Sequence, residues 1–359
     1  MNGKSGKWKG EGGGSRETTS RTALLVSCCS PRAVRHVVSR LGVTLIELLI
    51  AIAIMATLSV MFLGASRAAM EHSRASRTKM TISKLHTLLM EQWASYETRR
   101  VDILPPPNAP PLEGKAYLEF RLVAQRIIMQ MEMPDRWSDI LGDAIGNKLP
   151  NPNATRMTRI TIGPIYPITN PALSGYSVNV PTISNAYFRR YNTLVNDENL
   201  IERNQSAECL YLTIMYMTGD GEARTMFNAQ DIGDTDEDGA PEFLDGWGQP
   251  ISYFRWPAGF VSSFQPEDRT LPPPYRDVDA NHDPYDPYRL DVNAFQLVPL
   301  IYSWGPDGKP GLILGKTDTN GNPYLIDSDG YYNGSPVIEG GKETTDHIDN
   351  IHNHLQEAR

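Results

Sequence analysis

The chain has three cysteines, and two of them, Cys28 and Cys29, lie upstream of a long apolar run, so only Cys209 remains beyond it. One cysteine cannot close an internal disulfide. A loop-rich region outside the cytoplasm therefore needs another staple, and a bound cation is the candidate. An excess of positive charge is also missing: 34 Lys and Arg stand against 42 Asp and Glu, for a net charge of -8. That balance lacks the basic footprint with which nucleic-acid binders neutralise phosphates, so no nucleic-acid partner is expected. No G-x-S-x-G, P-loop or H-E-x-x-H string occurs, and nothing in the sequence points to an enzyme. Cys209 sits in the apolar stretch "AECLYLTIMYM" and reads as a buried, inert thiol in a core element.

Glycine and proline are absent between Ala65 and Arg100 and abundant after residue 104. The first distribution suits a long helix and the second suits turns, loops and short strands. From Val43 to Leu63 the sequence is apolar apart from Thr44, Glu47, Thr57 and Ser59. About 21 residues at 1.5 Å each span a bilayer's hydrocarbon core. The upstream flank carries Arg32, Arg35 and Arg40 and no acid between Glu17 and Glu47, which places the N-terminus in the cytoplasm and the rest outside. A secretory signal would have a shorter apolar core with an A-x-A-like cleavage site after it, whereas here the small residue, Gly42, precedes the run. Glu47 is the anomaly, because a charge within a bilayer costs about 2.5–3.5 kcal/mol and needs a partner.

The string "GVTLIELLIAIAIMATLSV" resembles the N-terminal signal of type IV prepilins and of type II secretion pseudopilins. The resemblance implies cleavage by a prepilin peptidase between Gly42 and Val43 and N-methylation of Val43, although Phe or Met is commoner at that position. It also gives Glu47 a role in assembly. Cleavage creates an amine at Val43, and in a filament the carboxylate of one subunit can pair with the amine of its neighbour. Beyond the anchor, Ile82, Leu85, Leu89, Trp93 and Tyr96 recur at helical spacing, opposite a face carrying Arg74, Arg77, Lys79, Lys84, Glu91 and Glu97. This predicts one helix through membrane and stalk, ended by "LPPPNAPP" at 104–111. Gly64 marks a weak point in it.

Two later stretches resemble the head of major pseudopilins. In "LDGWGQPISYFRWPAG", Asp245, Trp247, Gly248, Pro250 and Tyr253 match one motif. In "LVPLIYSWGPDGKPG", Ile301, Tyr302, Ser303, Gly305, Asp307, Gly308 and Gly311 match the next, and "TDHIDNI" resembles a third after an unusually long gap. The family's C-terminal loop holds Ca²⁺, which implies Asp307, Asp346, Asp349 and the Trp304 carbonyl as ligands. Independently of that resemblance, "DTDEDGAPEFLD" follows an EF-hand-type loop: Asp234, Asp236 and Asp238 at positions one, three and five, Gly239 at six, the Ala240 carbonyl at seven, Glu242 at nine. Asp245 replaces the usual Glu at twelve. An acidic surface turn is the alternative reading. His347, Asp349, His352 and His354 near the end read as solvated tail residues rather than a transition-metal site.

The expected organisation is a cleaved leader at 1–42, a transmembrane helix at 43–63 and an amphipathic stalk at 64–104. An insertion of helices and Pro-rich loops follows at 105–206, with "YLEFRLVAQRIIMQMEMPDRW" an amphipathic helix, and a β head with calcium-binding loops occupies 207–359. The fold class is α+β, pilin-like, with a long N-terminal helix packed on a small antiparallel sheet. The function implied is a structural subunit of a type II secretion-like pseudopilus, held in the inner membrane with its head outside. Its implied partners are the prepilin peptidase, other pilin or pseudopilin subunits and an inner-membrane assembly platform. A type IV pilus or competence pilin is the alternative, and a membrane-tethered extracytoplasmic enzyme or binding protein is the alternative of another class.

Overall fold

The computed structural model describes residues 42–141, 158–162, 175–194, 197–217, 221–271, 276–313, 324, 333–339 and 342–355. The expected leader therefore lies, apart from Gly42, outside the described residues, as does most of the Pro-rich stretch 147–175. The chain divides into two units, Met1–Ser59 and Val60–Arg359.

Helix α1 runs Leu45–Thr98, 54 residues without interruption at Gly64. Thr44 and Glu47 close its N-terminus as a capping box. The Glu47 carboxylate accepts the Thr44 amide at 2.8 Å and hydroxyl at 3.0 Å, while the Glu47 amide donates to Thr44 Oγ1 at 3.3 Å. Every apolar side chain from Leu45 to Leu63 that is large enough to matter is exposed. The expected stripe further along is fully buried: Ile82, Leu85 and Leu89 are 0% exposed and Trp93 is 5%.

The helix stops at Thr98, earlier than the proline run predicts. Ile103–Leu104 is already strand β1, paired antiparallel with β3 at Ser177–Asn179, and β2 at Arg159–Thr161 completes that three-stranded sheet. A residue before proline avoids helical backbone, so the chain leaves the helix in extended form ahead of Pro105.

Helix α2, Gly114–Glu132, departs from expectation more deeply. The expected helix forms, but its polar side is not solvated: it is buried on nearly all sides from Leu122 onward and shares the main core with α1. Its polar residues are inside because distant residues meet them. Arg126 pairs with Asp291 at 2.8 Å and Asp283 at 3.4 Å. Glu132 accepts from Tyr96 Oη at 2.6 Å and pairs with Arg99 of the chain just past α1.

Helices α3 (Thr182–Tyr191), α4 (Glu198–Arg203) and α5 (Gln205–Met217) follow, then the short α6 (Glu222–Met226). A second core forms from Trp137, Tyr187, Phe188, Tyr191, Cys209 and Leu212, with Ala240 packed into it. Strands β4 (Ile232–Gly233) and β5 (Glu242–Phe243) make a hairpin. Strands β6 (Ser252–Phe254), β7 (Leu300–Ser303) and, after the small hairpin β8–β9 (Ile338–Glu339 and Lys342–Glu343), β10 (Ile351–His352) make an antiparallel sheet ordered β10-β7-β6. The architecture is thus mixed helix and small antiparallel sheets, with a long N-terminal apolar helix.

The tail is not a solvated one. Asn353 is 0% exposed, accepts the Ile301 amide at 2.9 Å and lies 3.0 Å from His86 Nδ1 of α1. Two stalk cations read as solvated also act as latches: Arg77 binds Asp231 at 2.7 Å and Lys84 donates to the Met226 carbonyl at 2.9 Å. The turn at Asp245–Gly248 docks on the same helix. Gly246 donates to Thr78 Oγ1 at 2.9 Å, and a Cβ at Gly246 would lie 2.3 Å from the Arg74 carbonyl oxygen. Gly246→Ala must therefore push the turn off α1, at about 1–3 kcal/mol by analogy with overpacked cores. A thermal melt of the full chain in detergent micelles should show a lowered midpoint, and an unchanged one would contradict this packing.

Candidate metal centre

The acidic loop 234–241 joins β4 to β5, whose register sets Gly233 opposite Glu242. Positive φ at Glu237 (60°) and Gly239 (98°) curls the loop back on itself. Gly239 donates to Asp234 Oδ2 at 3.0 Å and Ala240 to Asp238 Oδ1 at 2.6 Å. Glu242 is held by the Thr235 amide at 3.1 Å and Asn204 Nδ2 at 3.1 Å.

Two groups of carboxylates converge, each with its ligand atoms within 4.8 Å of one another: Asp234, Asp236 and Asp238, and Glu208, Asp236 and Glu242. Asp236 belongs to both. Asp238, Glu242 and Glu208 are 0% exposed, Asp236 is 9%, and Asp234 is exposed. Both oxygens of Asp236, Asp238 Oδ2 and Glu208 Oε1 lack a hydrogen-bond donor. The other Glu208 oxygen accepts from Trp137 Nε1.

Burial, with neighbouring acids adding to it, pushes the Glu208 carboxyl up to about 10 and that of Asp236 upward. Burial likewise pushes Asp238 up to about 6 and Glu242 up to about 7, against the hydrogen bonds that favour their charged forms. A site that raises four acids together is short of positive charge. Its donors are all oxygens, the set that hard divalent cations take.

Comparison with known proteins gives no matching family model, no matching curated protein and no matching solved structure.

Glu208 is the residue that sequence reasoning missed. It is a lone acid in the apolar run of α5, and an acid at 0% exposure in a core helix calls for a partner. Asp245, expected at loop position twelve, is engaged elsewhere. Its Oδ1 accepts the Trp247 amide at 2.8 Å and the Gln249 amide at 2.9 Å, and its Oδ2 accepts Ser303 Oγ at 2.6 Å. It braces the turn against β7 and belongs to neither acidic group.

The C-terminal residues come together only in part. Segments 305–311 and 346–350 pack closely: a Cβ at Gly305 would lie 2.7 Å from the Asp349 carbonyl oxygen, and Asn350 donates to the Pro310 carbonyl at 2.8 Å. Asp346 pairs with Lys309 at 3.2 Å, and Asp307 accepts the Lys309 amide at 2.9 Å. Asp307, Asp346 and Asp349 form no converging group among the described residues. Trp304 Nε1 donates to Ser252 Oγ at 3.0 Å. At the other end, Gly42 and Val43 are exposed ahead of the Thr44–Glu47 cap.

The raised acids carry a pH signature. Each holds its proton in the fold above the pH at which the unfolded chain releases it, so their contribution is fully present below the ordinary carboxylate range and falls as pH rises through about 6, 7 and 10. His352 and His354, lowered by burial from 6.5 to about 4, act in the opposite sense, but most of their change lies below pH 6.5 and the remainder above it is smaller than that of Glu208. Chelator-treated protein should therefore melt lower at pH 8.5 than at pH 6.5. An equal or higher melting point at pH 8.5 would show that these acids are not strained in the cation-free state.

Proposed function

We propose that this chain is a pilin-like structural subunit, processed at Gly42–Val43 and polymerised through its N-terminal helix into a pseudopilus of a type II secretion-like system. The observation that carries the reading is the division of labour along α1. Its first part is apolar, long enough to cross a membrane and exposed throughout, and its second part is the spine of a folded core. Exposed surface of that size needs lipid or other helices to cover it. A bilayer covers it in the stored subunit, and neighbouring α1 helices cover it in the filament.

The string T-L-I-E-L-L at 44–49 supports the processing step. The capping box refines the role of Glu47. Thr44 holds the carboxylate one residue from the position where cleavage would expose the Val43 amine. The same carboxylate can cap its own helix and face the amine of a neighbour, which places register under electrostatic control. The head then lies on the outer side of the inner membrane, and the prepilin peptidase and assembly platform are the partners that processing and polymerisation require. The C-terminal residues Asp307, Asp346 and Asp349 are proposed as a calcium-holding loop on the strength of the resemblance alone.

Intact-mass and N-terminal analysis of the mature protein tests the processing step, with Val43 the expected first residue and a start elsewhere ruling it out. A Glu47→Ala protein should be cut normally yet fail to give cross-linked multimers. Wild-type multimers from that variant would refute the assembly role.

A further inference from the structure

At two other places in the head, buried charge is met by opposite charge. Arg126 faces Asp283 and Asp291, and Arg255 faces Asp135 and Asp139, with the Arg255–Asp139 pair at 2.9 Å. Around Asp236 this pattern breaks. Four acids are buried together, no Lys or Arg forms an ion pair with any of them among the described residues, and four of their oxygens have no donor. A buried carboxylate without a partner is among the most costly groups a fold can hold. The acids come from a hairpin loop and from a helix that precedes it in sequence, and they fall into two groups that share Asp236, with ligand atoms within 4.8 Å of one another in each.

We propose that Asp234, Asp236, Asp238, Glu242 and Glu208 form one discontinuous calcium site, in which Glu208 of α5 supplies the outside carboxylate that Asp245, committed to the turn and to Ser303, does not. Five carboxylates, able to bind through one oxygen or two, suit the six to eight oxygen ligands of Ca²⁺. Mg²⁺ demands a tighter octahedron and keeps several waters. The absence of any imidazole or thiol from the two acidic groups turns the site away from zinc and copper.

The ion does more than neutralise a loop. Glu208 is tied through its second oxygen to Trp137, and Trp137, Cys209 and Ala240 all belong to the second core. Calcium therefore links the hairpin loop, α5 and the segment at Trp137, and its occupancy sets the order of that core. The site stands whether or not the chain polymerises, because it rests on the head alone.

The test uses the full chain in dodecyl maltoside micelles, stripped with EGTA and titrated with Ca²⁺, with bound metal counted by mass spectrometry and affinity read by calorimetry. Asp236→Asn should bind one Ca²⁺ fewer per chain than wild type, which separates this site from any other. Glu208→Gln, close in shape to the protonated acid and so compatible with the fold, should weaken binding about tenfold or more, while Asp245→Asn stays within about threefold of wild type. Tb³⁺ should give tryptophan-sensitised emission that Ca²⁺ displaces and that is reduced in Asp236→Asn. Wild-type affinity in Glu208→Gln, or a wild-type ion count in Asp236→Asn, would overturn the proposal, and so would Mg²⁺ competing on equal terms with Ca²⁺.

Discussion

The head depends on a single buried face of α1. Between Thr78 and Tyr96 this face holds three other parts of the head by direct hydrogen bonds or ring packing. Thr78 takes the Gly246 turn, Trp93 packs edge-on against Tyr285 at 5.5 Å and receives its hydroxyl, and Tyr96 donates to Glu132 of α2. The strands cannot supply such a frame. They are two to four residues long, below the usual five or six, and so gain little from cross-strand pairing on their own. Strands β5 and β6 pack on α5, and Phe243, Tyr253, Ile301 and Ile351 join residues of α1, α2 and α5 in one apolar core.

That arrangement explains where buried charge is tolerated. Arg126, Arg255 and Glu132 lie beneath the helix and the strands, yet each is bracketed by partners fixed on other elements. Burial works against the charge of Arg126 and Arg255, and the acidic groups beside them more than offset it, so both hold their protons more tightly than a free guanidinium. Asp135, in the field of Arg255, is held down at about 2 despite its burial. Such networks contribute little net stability, but they are exacting about which elements pack together. The acidic group around Asp236 is buried too, but Arg190 and Arg203 act on it only from a distance and no ion pair is made with it among the described residues, and it stands apart for that reason.

Much of this was legible in the sequence, and the limits have physical causes. The long helix was readable because its apolar residues repeat every three or four positions and nothing breaks it between Ala65 and Thr98. The acidic loop was readable because D-x-D-x-D-G carries its turn chemistry with it. Helix α2 was misread because Gln125, Arg126, Gln130 and Glu132 look like a wet face until Asp283, Asp291, Asp139 and Arg99 arrive from elsewhere. Glu208 was missed for the same reason, since its neighbours in space are not its neighbours in the chain. The tail looked free because Asn353's partners, Ile301, Pro299 and His86, are all remote.

The cap at the start of α1 has a further consequence. A free glutamate loses up to about 2 kcal/mol of rotamer entropy when a partner immobilises it. Here the Thr44 amide and hydroxyl already fix the carboxylate of Glu47. In the proposed filament, a neighbour's amine would meet an acid whose orientation is settled, the loss of freedom having been incurred when the helix formed. Recognition at that position is therefore closer to docking against a rigid surface than to capture by a flexible arm, which favours one geometry of approach over all others.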